Sequence, residues 1–80
     1  MLFVYDEPDI PSFWMKDMKF SIDIIWIDEN NKVVGIEKNI NPETYPQTFA
    51  PSRQILNVLE VNAGWSDAHS IEIGDKITVN

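Results

Sequence analysis

The stretch 22–38, "IDIIWIDENNKVVGIEK", places two runs of β-favouring residues on either side of Asp28-Glu29-Asn30-Asn31, and its reading decides the fold. In an extended chain Ile22, Ile24 and Trp26 point one way while Asp23, Ile25 and Asp28 surround the other face, so both faces of this strand are expected to be covered at least in part. The acidic and amide residues that follow favour a turn, because their short polar side chains bond nearby backbone and tolerate left-handed conformations. "KVVGIE" then returns, and the pattern predicts a β-hairpin over 22–38. Gly35 within the returning strand implies a bulge or a neighbour pressed close to the backbone.

Working outward, "LFVY" at 2–5 reads as a strand ended by the acidic, proline-punctuated loop 6–11, and 12–15 resumes in β-favouring residues. Met18 and Phe20 are expected to fold back on the core from a connector. Three prolines make 39–52 an irregular loop, anchored by Tyr45 and Phe49. Ile55, Leu56, Val58, Leu59 and Val61 fit a strand better than a helix, since β-branched residues are frequent and Pro51 flanks them. The segment 62–69 suits one or two helical turns, with Asn62 as the cap and His69 near the carboxyl end. A turn at Gly74-Asp75 then leads to a closing strand within 71–79. Together these elements predict a single domain over 1–80, mainly antiparallel β or α+β: a small curved sheet or partial barrel with one short helix.

Composition limits the chemistry. The 80 residues contain no cysteine, which removes disulfides, thiolate metal sites and thiol nucleophiles. Thirteen acidic residues against six basic ones give a net charge of −7, which repels phosphate backbones and anionic lipid headgroups. Lys16, Lys19, Lys32, Lys38, Arg53 and Lys76 form no run, so no nucleic-acid partner is expected. No apolar run is long enough for a helical membrane span, and residues 1–5 lack the basic start of a signal peptide. An apolar strand beginning at the first residue suggests a chain that was cut or that descends from a longer one. The sequence leaves localisation unknown.

His69 is the single histidine, and no nucleophile elbow accompanies Ser12, Ser66 or Ser70. Asp17, Asp23 and Asp28 could supply paired carboxylates, although acidic side chains at this density usually form a solvated face. The segment from Asp28 fails as a calcium loop: Lys32 stands at its fifth position, Val33 takes the place of the glycine at its sixth, and Asn39 occupies the twelfth. No metal or cofactor site is read from the chain. Among the aromatics, most must be core in so small a domain, and Trp14 and Trp65 stand out because polar residues stand nearby, Lys16 and Asp17 for one and Ser66 and Asp67 for the other.

The blocks "SFWMKDMKFSIDIIWID", "LEVNAGWSDAH" and "IEIGDKI", separated and in this order, strongly resemble the domain of unknown function 192 family. Phe13, Trp14, Met15 and Lys16 match its first block, Asp23 and Asp28 its strand, Leu59 and Glu60 its third block, Ala63, Gly64 and Trp65 its fourth, and Gly74 and Asp75 its close. Asp17 replaces the usual asparagine, and Ser70 stands where glycine is common, so the turn after the helix is expected to differ. The resemblance implies a β-rich domain, in a family often exported and usually carrying a further N-terminal segment with a first strand. It implies no activity, and it recasts Lys16 as a structural ion-pair partner of Asp17, Asp23 or Glu60.

Three readings follow. The first is a non-catalytic binding or accessory module for a glycan, peptide or protein, with a cleft built from Trp14, Lys16, Asp17, Trp65 and His69 and with Asp23 beside it. The second is a small hydrolase-like enzyme using Asp17 or Asp23 with His69. The third is a structural subunit that forms a homodimer through an exposed edge strand.

Overall fold

One strand of the computed structural model is buried at every residue: β3, Ile22–Ile27. The structure describes residues 1–77, with β1 (Leu2–Asp9), β2 (Phe13–Trp14), β3, β4 (Val33–Ile40), a 3-10 turn (Pro42–Thr44), β5 (Thr48–Phe49), β6 (Ile55–Asn62) and the short helix α1 (Trp65–Ala68) in chain order. A four-stranded antiparallel sheet runs in the order β1-β6-β3-β4, and β2 pairs with β5 in a second, two-stranded sheet. Among the described residues the main sheet is open and forms no closed barrel.

Alternation along β3 explains the layering. Ile22, Ile24 and Trp26 belong to a core with Met15, Ile40, Ile55 and Val58, against which Phe13 of β2 and Phe49 of β5 pack. Ile25 and Ile27 point through the other face and form a second core with Val33, covered by Trp65 and Ile71. The two-stranded sheet and the helix therefore lie on opposite sides of the main sheet, and the helix covers a face rather than an end.

The predicted hairpin is β3–β4. Asp28 organises its turn: one carboxylate oxygen accepts from the amides of Asn30 and Lys32 at 2.9 and 3.0 Å. Asn31 takes a left-handed conformation there, with φ of 60°. The register shifts between Trp26 and Ile27, beside Gly35, which lies opposite Trp26. Both expectations for Gly35 hold, because a β-carbon built there would stand 2.9 Å from the Trp26 indole.

Other elements depart from the pattern. β1 does not stop at Tyr5 but continues through Pro8 to Asp9, with a register shift after Val4 that accommodates the proline at a sheet edge. The expected strand after Pro51 is present as β6, not a helix, since it lies between β1 and β3 and both ladders claim its backbone. Met18 packs on the first core, whereas Phe20 is 58% exposed. Phe49 anchors its loop as expected, but Tyr45 stays largely outside the core.

Asn62 does not cap the helix. It ends β6, and the cap position falls to Gly64, with φ of 92° and no side-chain cap of its own. Past the helix, Ser70 has φ of 52° while its amide donates to the Asp67 carbonyl and that of Ile71 to the Ser66 carbonyl. This is the left-handed closure glycine usually makes, and here serine makes it. The turn near Gly74 is present, and Lys76 opens an antiparallel bridge to Lys32. The rest of the expected closing strand, Thr78 and Val79, lies outside the described residues.

Gly35→Ala should destabilise the protein by about 1–3 kcal/mol, because the added methyl group meets the buried Trp26 ring. Urea unfolding measures this; a change within about 0.5 kcal/mol would show that the ring can turn aside.

Candidate functional site

The six residues singled out in the sequence fall in three places. Trp14 and Lys16 stand at the outer surface of the two-stranded sheet. Phe13 points inward, stacked on Trp26 with ring centroids 5.8 Å apart, so Trp14, next along the strand, must point outward and is 49% exposed. Its indole rests against Tyr45 at 5.0 Å between centroids, with the rings tilted by 59°. The Lys16 ammonium lies 5.8 Å from the centre of the Trp14 ring, within cation–π range.

Lys16 and Asp17 occupy the turn from Met15 to Met18, which the Met18 amide closes onto the Met15 carbonyl. Asp17 has φ of 61°, a conformation that aspartate and asparagine both tolerate, so its exchange for asparagine leaves the backbone demand met. Lys16 enters neither of the ion pairs found among the described residues, Lys38–Asp67 and Arg53–Asp28. The expected structural ion pair is replaced by the indole contact.

Trp65 and His69 lie across the sheet from this group. The imidazole stacks on the Trp65 indole at 4.1 Å and 25°, and its Nδ1 lies 2.9 Å from the Trp65 carbonyl. A carbonyl can only accept, so that nitrogen carries the proton and Nε2 faces away from the bond. Beside them Lys38 donates to Asp67 at 2.6 Å, an exposed pair that raises the Lys38 pKa. A single cleft holding Trp14 together with Trp65 does not form, because successive β3 residues send these two coverings to opposite faces.

Asp23 is in the third place, fully buried on β3. One oxygen accepts from the Asn39 amide at 2.9 Å. The other accepts from the amides of Gly64 and Ser66 at 3.2 and 3.1 Å and from the Ser66 hydroxyl at 2.7 Å. Burial alone would push this carboxyl up, but these donors outweigh it and hold the pKa below the ordinary value. Asp23 thus does for the first turn of α1 what Asn62 was expected to do. It offers no free oxygen to a ligand, and no hydrogen bond links it to His69.

Among the described residues no group of three or more histidine, aspartate or glutamate side chains is arranged to hold a metal ion. No helix there is long and apolar enough to cross a membrane. Tyr45, expected with Phe49 to anchor its loop, joins the exposed aromatic group instead.

Asp23→Asn replaces an acceptor by an amide donor facing other donors, and should cost about 3 kcal/mol or more in chemical unfolding. The folded-state pKa of Asp23 lies below its unfolded value, so its contribution is complete above about pH 4 and disappears as pH falls through the folded value. The wild type should therefore lose stability with acid faster than the variant; equal acid dependence would refute this account.

Similarity to known proteins extends over nearly the whole chain. The model of the domain-of-unknown-function family DUF192, described as "Uncharacterized ACR", matches residues 1–79. A solved protein of unknown function from Novosphingobium aromaticivorans is 32% identical with a TM-score of 0.87, the match covering 95% of this chain and 54% of that one. A proposed transcription regulator from Sinorhizobium meliloti is 26% identical with a TM-score of 0.88, over 95% of this chain and 58% of the other. The chain thus spans little more than half the length of these solved structures. No curated protein matches. With nearly every residue matched, this chain belongs to the DUF192 family.

Proposed function

We propose that this domain is a non-catalytic binding module whose recognition surface is the exposed aromatic group on the two-stranded sheet. The observation that carries the reading is Trp14, half exposed, with Tyr45 and the Lys16 ammonium both in contact with its indole. An indole kept at the surface by its neighbours offers a flat apolar face with polar groups at its border, which suits a sugar ring or a peptide side chain. A catalytic reading lacks comparable support, since the Asp23 oxygens are occupied and His69 bonds the backbone of its own helix. The regulator description of the Sinorhizobium protein does not bring DNA binding to this chain, because a net charge of −7 without a basic run opposes phosphate.

Tryptophan emission followed through panels of glycans and short peptides should show a saturable change. Trp14→Ala should weaken the binding about fivefold or more, while Trp65→Phe leaves it unaltered. Absence of any saturable change across both panels, or binding that survives Trp14→Ala, would sink the proposal.

A second reading, a homodimer, draws on β1. Among the described residues this strand pairs only with β6, which leaves its outer edge open with Leu2 and Val4 exposed beside it. Pro8, Asp6, Glu7 and Asp9 blunt the far half of that edge. Light scattering should then give a dimer that Val4→Lys dissociates; a monomer at millimolar concentration would exclude it.

A further inference from the structure

A cavity of about 270 Å³ opens at the rim of the first core, away from Trp14, where Met18 and Phe20 rather than the β2–β5 pair stand over the sheet. Its walls are mainly apolar: Met18, Phe20 and Ile22, with Met1 at one side, while Val61 borders it with its side chain turned to the second core. The polar groups are Glu60 and Asn62. Register explains their presence, for Glu60 lies opposite Ile24 and Asn62 opposite Ile22, so both fall on the face that carries the first core. A carboxylate and an amide therefore stand on the face to which β6 elsewhere contributes Ile55 and Val58.

Neither ion pair of the described residues includes Glu60. The terminal ammonium of Met1 donates to the Glu60 backbone carbonyl instead of to its carboxylate. Partial burial raises the Glu60 pKa, and the nearby ammonium only moderates this. The group is held at a cost that an added cation would reduce. Phe20 leaves an apolar ring at the mouth, and the net charge of −7 draws cations toward the surface.

We propose that this cavity binds a small amphipathic ammonium, a primary amine on a short apolar chain. The tail lies between Met18, Phe20 and Ile22, and the ammonium reaches the Glu60 carboxylate, with Asn62 offering its amide oxygen as a further acceptor. The volume is below the usual range for drug-sized ligands, so the occupant is of the size of one amino-acid side chain. Anionic and neutral molecules of the same shape would bury the carboxylate without a partner.

Titration of isotope-labelled protein at neutral pH with hexylammonium, 1-hexanol and hexanoate tests this in the wild type alone. Saturable amide shifts at Phe20, Ile22, Val61 and Asn62 are expected, with hexylammonium binding about tenfold more tightly than hexanol and hexanoate weakest. Glu60→Gln should bring hexylammonium and hexanol to equal affinity. Equal binding of the two in the wild type, shifts located elsewhere, or no saturable shifts would each overturn the proposal. If the variant fails to fold, the ordering of the three probes in the wild type still decides.

Discussion

The carboxylate of Asp23 occupies the strand at the centre of the sheet and gathers donors from residues 16, 41 and 43 positions further along the chain. Three pieces that could otherwise shift, the end of β4, the bend after β6 and the start of α1, close on the same two oxygens. A buried charge without partners would cost several kcal/mol. Here the four donors make the charge the point of attachment, and two of the amides belong to Gly64 and Ser66, at the helix start, where backbone donors lack intrahelical partners. The helix is four residues long and could not stand alone. It persists because β3 completes its first turn and because Trp65 and Ile71 pack on Ile25, Ile27 and Val33.

Local signals made the hairpin legible: apolar alternation, a polar turn and a returning β-favouring run are all read within 17 residues. The same reasoning placed β6 in a strand and a short helix after it. It misplaced the helix cap because Asn62 is a plausible donor-satisfying neighbour in the sequence, while the acceptor that wins comes from 41 residues earlier. Asp23 looked like a site residue for the same reason. Its partners are mostly backbone amides, which every residue but proline carries, so nothing in the side-chain sequence announces them.

Trp14 and Trp65 also show what composition cannot convey. Each stands among polar residues, with a lysine or a histidine a few positions on, so they read alike. The structure gives them different employment, one half exposed on a two-stranded sheet, the other laid over the second core with His69 stacked on it. Which face of β3 a covering segment reaches depends on the path of the connections, and that path is set by strand pairing rather than by local propensity.

Trp26 and Gly35 share one space: the indole fills what would be the side-chain position of residue 35, and its Nε1 is buried without a hydrogen-bond acceptor among the described residues. The volume at these positions is therefore a joint quantity. In relatives that keep this hairpin, the two should vary as a pair, a larger residue at 35 being admissible only where the ring at 26 has been exchanged for a narrower side chain. Either order of exchange passes through a destabilised state, a clash if residue 35 grows first and a void if the ring shrinks first, so the two positions constrain each other's history.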